Sequence, residues 1–255
     1  MQDFTEKYTH DKDNRLLLRH INDLIRLSQK EYSVTYSAFL DPAQQALVLS
    51  VEEFRGSISM DGGYEDAERR LCRIRTDEYN TDSGLPVVLF TARAGMKDAL
   101  LSHRDVLGSL MGLGIRRETI GDILPDGSQP QFFCLSEIAG FIELNLTKIG
   151  RQSVTLTRSS TVNLPEQAYE NKTVNVSSLR LDSVCAEAFG LSRTKAAECI
   201  RKGLAALNWI VCTDPSHEVK SGDKISLRGK GKAEVGDVSG ISKKGRLFLE
   251  IRKKI

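Results

Sequence analysis

The 255-residue chain is poor in the groups on which most catalytic and membrane proteins depend. Its four histidines, at 10, 20, 103 and 217, accompany no serine or cysteine in a recognisable nucleophile elbow, so no acid–base or nucleophilic constellation is nominated. Five cysteines, at 72, 134, 185, 199 and 212, are odd in number and form no C-x-x-C pair. That spacing argues against a zinc site and a disulfide framework, and for a reducing cytoplasm. The opening MQDFTEKYTH has no apolar core of a secretory leader, and no apolar run approaches the roughly 20 residues that span a bilayer, so membrane insertion is not expected.

Phosphate-cradling loops are missing as well. HRD at 103–105 lacks the context of a kinase catalytic loop, because Leu110 stands where that loop needs a metal-binding Asn, and no DFG or Gly-rich loop with its lysine accompanies it. The glycines of GLG at 112–114 end a helix instead of linking a strand to one, and PVVLFTARAGMKD supplies no glycine-rich turn of the kind a methyltransferase needs. The sequence therefore nominates no catalytic residue, no metal ligand and no cofactor.

What is present is a soluble globular composition, 40% apolar and 27% charged, on a chain long enough for two or three small domains. The net charge of +2 hides a strong asymmetry. Residues 1–84 hold 11 Lys/Arg against 16 Asp/Glu, residues 85–179 hold nine of each, and residues 180–255 hold 16 against nine. Clustered cations on a near-neutral chain point to a polyanionic partner, since each neutralised phosphate releases condensed counterions.

Periodicity divides the chain into an α+β protein of three small domains, at 1–84, 85–160 and 179–255, with a connector at 161–178. In the first, Leu17, Ile21, Leu24 and Ile25 mark a helix near 11–30, and Asp41 with Pro42 opens a second. Gly62 and Gly63 let the chain reverse, and the AERR stretch at 67–70 is expected to start a further helix. The second reads strand, helix, strand, strand, helix, strand, the β-α-β-β-α-β order of a ferredoxin-like, RNA-recognition-type sandwich. Its QFFCL strand places Phe132 and Phe133 at adjacent positions that must face opposite sides, which weakens any base-stacking role for that sheet. The third has two short helices followed by a small β-rich unit. Ser192 suits the N-cap of the second helix and Gly203 its C-terminal stop. Ala196, Cys199 and Ile200 are expected to face its core, with Arg193, Ala197 and Arg201 lining another face.

RLD at 180–182, SR at 192–193, Ala196, IRKG at 200–203, Asn208 and VKSGDKISLRG at 219–229 together resemble the S4 RNA-binding (αL-type) domain in order and spacing. Trp209 departs from that pattern, standing where the family usually has Gly. With GGYEDAERR at 62–70 and SHRDVLGSLMGLGIRRETIGDI at 102–123, nearly the whole chain resembles the YlmH family of bacterial S4-domain proteins. The resemblance implies an N-terminal domain, a central RNA-recognition-like domain and an S4 domain, with links to cell division and to quality control on stalled large ribosomal subunits.

Within this pattern Arg193, Lys195, Arg201 and Lys202 are the candidates for phosphate contacts, because guanidinium chelates phosphate oxygens and ammonium adds point charge. Arg180, Ser192, Asn208, Lys220, Lys224 and Arg228 complete the candidate RNA-binding set, with Asp182 expected to cap the first helix and Asn208 to fix a turn. Arg104, Arg116 and Arg117 are candidates for a second RNA contact. The expected partners are ribosomal or transfer RNA and the large ribosomal subunit, bound by a cytoplasmic monomer that is not an enzyme. Two alternatives stand beside this reading: an RNA-modifying enzyme of the pseudouridine synthase or rRNA methyltransferase type, and a scaffold for division proteins.

Overall fold

A computed structural model of the chain describes residues 4–77, 81–96, 100–164, 169–242 and 245–254. The chain divides into two compact units, Met1–Pro165 and Glu166–Ile255.

In the first unit, Asp11 accepts a hydrogen bond from the amide of Asn14 and starts α1 (Lys12–Glu31), whose Leu18, Ile21 and Ile25 are buried. Strand β1 (Thr35–Leu40) runs into α2 (Pro42–Ser50), which opens with the expected cap: Asp41 and Gln44 satisfy each other's backbone amides reciprocally, and Pro42 lies in the first turn, where its missing N–H costs nothing. Then come β2 (Ile58–Asp61) and β3 (Arg70–Ile74), giving a three-stranded sheet in the order β1-β3-β2. The helix expected at AERR is thus a loop leading into a central strand. Leu71 packs to one side, Cys72 and Ile74 to the other, and all three are buried, so strand alternation buries both faces where a helix would bury one.

The second half of this unit follows the expected order. Strand β4 (Val87–Ala94), α3 (His103–Gly112), β5 (Ile120–Leu124), β6 (Gln131–Leu135), α4 (Ser136–Asn145), the short β7 (Lys148–Ile149) and β8 (Gln152–Ser159) form a sheet in the order β5-β6-β4-β8-β7. Each paired neighbour in it is antiparallel, which is the ferredoxin-like sandwich with one added hairpin strand. Helix α3 is opened by a reciprocal cap between Ser102 and Asp105.

Four layers result. Helices α1 and α2 cover one face of the small sheet through Leu18, Ile21, Val48 and Ile74. Its other face meets the large sheet through Phe39, Leu71, Leu89, Leu124 and Phe133. Beyond that sheet lie α3 and α4, packed through Phe90, Phe132, Val106, Leu110 and Ile142. The sheets approach so closely at β5 that a Cβ on Gly121 would stand 2.7 Å from the Phe39 ring and 2.9 Å from Phe133, so no larger residue fits without moving one sheet.

The second unit begins before the expected S4 boundary. Residues 169–176, taken from the sequence as part of a connector, form β9 (Tyr169–Val176). After it come α5 (Leu181–Phe189), α6 (Arg193–Arg201), β10 (Ala205–Leu207), β11 (Ile210–Val211), β12 (Lys224–Leu227), β13 (Gly231–Ile241) and β14 (Leu247–Lys254). The sheet order is β11-β10-β12-β13-β14-β9, so β9 pairs with the last strand of the chain. Val174 and Val176 are buried in the same core as Leu249, Ile251 and the helices. The polar YENKTVNV reads as a linker because, among its described side chains, Val174 and Val176 alone are buried in that core, and the partner strand that satisfies its backbone lies more than 70 residues away in sequence.

Candidate nucleic-acid interface

The two S4 helices are fixed by ordinary capping chemistry. Ser192 accepts from the amide of Lys195 at 3.2 Å and starts α6, while Gly190, at φ +65°, closes α5 in the left-handed region that glycine adopts without strain. Gly203 ends α6 at φ +68°, donating its amide to Ile200.

At the start of α5 the structure departs from the expected role of Asp182. The amides of Leu181 and Asp182 are satisfied by the carbonyls of His217 and Pro215. The carboxylate is left for cations, and it takes two: Arg180 at 3.0 Å and Arg193 at 3.2 Å. Arg193 also reaches the Ser177 hydroxyl. Asp182 is only 5% exposed, whereas the two guanidinium side chains are about half exposed. One buried carboxylate therefore aims two arginines outward and leaves a net positive charge with unused N–H donors, a geometry matched to phosphate.

Burial pushes the Asp182 carboxyl upward, but its hydrogen bonds to Arg180 and Arg193 outweigh that and hold it below its ordinary value of 3.8. A depressed folded value stabilises the unit above the unfolded carboxyl's titration, and the contribution is lost as pH falls through the folded value. The melting temperature of the second unit is accordingly expected to stay level from pH 7 to about 4, then to fall on further acidification. Asp182→Asn should lower it at pH 7 and flatten that acid limb, as melts followed by circular dichroism across pH 2–7 will show.

Along α6 the expected stripe through Arg193, Ala197 and Arg201 does not form. Ala197 is buried beside Ala196 and Ile200, and Arg193 sits above that buried side, which is why it turns to Asp182. The exposed face instead carries Thr194, Lys195, Glu198, Arg201 and, at the cap, Lys202. Lys195 pairs with Glu198 at 3.2 Å, but both are solvent-exposed, so the pair is weak and easily exchanged for a stronger anion. Arg201 and Lys202 have no acidic partner among the described residues.

The remaining S4 candidates are dispersed. Asn208 fixes a turn, donating to Asp223 at 2.8 Å and accepting from the amide of Lys224 at 2.9 Å, and is not an outward donor. Lys220 is exposed in the turn that Asp223 organises. Lys224 lies on the side of β12 opposite the buried Ile225 and Leu227, away from the helices. Arg228 is exposed, its amide tied to the Leu204 carbonyl just beyond α6.

The three central arginines divide sharply. Arg104 is exposed on the first turn of α3, and Arg116 is exposed beside Glu118 at 3.4 Å. Arg117 is not a surface cation: its guanidinium donates to the carbonyls of Ile120 at 2.6 Å and Gly121 at 3.3 Å, and burial, with Arg69 nearby, lowers it to about 10. Sequence reasoning grouped it with Arg116 because adjacent arginines look alike until their carbonyl partners are known.

The sheet face that an RNA-recognition fold would offer to bases is largely covered. Phe133 stacks on Tyr64 at 5.6 Å under the small sheet, and Phe132 is buried against the helices. The open part of that face, along β4 and β8, presents Arg93, Thr155 and Thr157 and no aromatic ring. Base stacking of the RNA-recognition kind has no platform there.

Two small helices braced on a β-unit, with cations outward and apolar residues inward, define an S4-domain protein. In agreement, the family model "S4 domain" matches residues 179–225, and the model "Putative RNA-binding domain in YlmH" matches 82–163. The chain is 34% identical over 240 residues to the "Ribosome-associated protein quality control protein P2" of Bacillus subtilis (strain 168), an alignment spanning 92% of this chain and 93% of that protein. Among solved structures, "Cell division protein ylmH from Streptococcus pneumoniae" is similar in fold, with a TM-score of 0.51 at 22% identity over 60% of this chain and 94% of that one. The chain belongs to the YlmH family.

Proposed function

We propose that the chain is a non-catalytic, cytoplasmic RNA-binding adaptor that grips structured RNA through its S4 unit, the RNA being ribosomal or transfer RNA on the large ribosomal subunit. The observation that carries this reading is the pairing of Arg180 and Arg193 on one buried carboxylate at the start of α6, with Arg201 and Lys202 at its other end lacking an acidic partner among the described residues. Such a surface recognises phosphate geometry, which suits structured RNA read by shape. The quality-control role in the name of the Bacillus subtilis relative supports the ribosomal setting. Catalysis has little to work with. All four histidines are exposed, and burial pushes the thiols of Cys72, Cys134 and Cys185 up to about 12, far from a reactive thiolate. In this reading the acidic residues 1–84 and the central 85–160 serve to present the S4 unit, and a division partner, suggested by the pneumococcal relative's name, would meet the former.

Purified protein is expected to co-sediment with large ribosomal subunits and to lose that association after RNase treatment. Failure to sediment, or turnover in an RNA methyl-transfer or isotope-release assay, overturns the reading.

A further inference from the structure

The tip of the β10–β11 hairpin combines features that the fold alone does not require. Asn208 and Trp209 occupy it at φ +48° and φ +66°, both in the left-handed region. A two-residue hairpin turn of type I′ demands positive φ at both positions, and glycine meets the demand at its second position without cost. A bulky aromatic residue there is strained, and burial does not repay it in full, because Trp209 remains 36% exposed. The neighbours on the hairpin, Ile210 and Val211, are 60% and 61% exposed. Asn208 braces the turn against Asp223, so the ring is held on a rigid support. The ammonium of Lys224 lies 5.2 Å from the ring centroid. The hairpin borders the end of α6, since a Cβ on Gly203 would touch Val211 at 3.6 Å.

We propose that Trp209 is a stacking platform for one unpaired base of a structured RNA, with Lys224 placed to meet that nucleotide's phosphate. An indole face accepts any base, and an adjacent ammonium adds the charge a flipped nucleotide brings with it. This inference rests on the RNA-binding reading above and adds a base contact to a surface otherwise built for phosphates.

Trp209 is the chain's single tryptophan, so its fluorescence reports on this position alone. The full-length protein would be titrated with an RNA stem–loop carrying one unpaired adenosine and with the same stem–loop made abasic at that nucleotide. Stacking predicts strong quenching by the first RNA and little by the second at saturation. Measured by anisotropy of labelled RNA, Trp209→Gly should bind the first RNA about tenfold more weakly than wild type while Trp209→Phe recovers most of the loss. Trp209→Gly should also melt at or above the wild-type temperature, because glycine relieves the turn, a combination that a purely structural tryptophan would not give. Equal affinity of Trp209→Gly and wild type, or equal quenching by both RNAs, overturns stacking alone. Absence of binding to either RNA by wild-type protein that still co-sediments with large subunits overturns stacking alone, and absence of both overturns the RNA-binding reading together with it.

Discussion

Replacing Lys195, Arg201 and Lys202 together by Glu is expected to weaken binding to large ribosomal subunits by about a hundredfold, from roughly 1 kcal/mol lost at each phosphate contact. The slope of log affinity against log salt should fall by about 2 to 3, because each lost contact no longer releases its counterions. All three side chains are solvent-exposed, and the only ion pair among them is the weak one from Lys195 to Glu198, so the melting temperature should stay within a few degrees of wild type. Arg193 is left out for a structural reason. A glutamate at 193 would set a second carboxylate beside Asp182, whose compensation already depends on that guanidinium, and lost binding could then reflect lost folding. Arg193→Gln is the milder test of that position. Unchanged affinity or an unchanged salt slope in the triple variant would remove α6 from the interface.

The second large effect concerns the first unit and should leave RNA binding untouched. The Asp122 carboxylate accepts from the Tyr64 hydroxyl at 2.7 Å and from the amides of Glu68 and Arg69 at 2.6 and 2.9 Å. Arg69 in turn donates to the carbonyls of Ile120 and Phe39, so the loop between β2 and β3 is stitched to both β1 and β5. Burial, with Asp122 beside it, raises the Tyr64 phenol far above its ordinary value, which keeps it a donor throughout the physiological range. Asp122→Ala strips the acceptor from three donors at once and should destabilise the unit by about 3 kcal/mol, given the worth of charged hydrogen bonds and the cost of unpaired donors. For a unit of this size that is a fall of about 6–12 °C in melting temperature. Asp122→Asn retains one carbonyl and should lose about half as much. RNA affinity measured well below the transition should be unchanged within about twofold, since Asp122 lies in Met1–Pro165 and the cation cluster in Glu166–Ile255. A drop in affinity without a drop in stability would mean that the first unit holds RNA itself.

These two sites also show what could be read in advance. The β-α-β-β-α-β order was legible because α3 carries its own Ser102–Asp105 cap and the strands β5 and β6 are short, largely buried apolar runs joined by the turn-forming PDGSQP, which are local properties. The caps at Asp41 and Ser192 were legible for the same reason. Elements defined by distant partners were not. AERR has helix-forming residues, but the amides of Glu68 and Arg69 are claimed by a carboxylate more than 50 residues away, and Leu71 is drawn between two layers. β9 depends on a strand at the other end of its unit. Among the candidate residues, sequence placed Arg193, Lys195 and Arg201 on one helix with Lys202 at its end. It could not separate Arg117, spent on backbone carbonyls, from Arg116, or foresee that Asp182 would bridge two arginines. Pairings of that kind are set in three dimensions by which donors other parts of the chain have already satisfied.

RNA is expected to meet the S4 helices and not the sheet of the central domain. Ultraviolet crosslinking of the full-length protein to large ribosomal subunits, followed by mass spectrometry of the RNA-linked peptides, tests it most directly. Crosslinks are expected within 180–228, concentrated around Arg193–Arg201 and the hairpin at Trp209. Crosslinks confined to 87–94 and 152–159, on the open part of the central sheet, would contradict it.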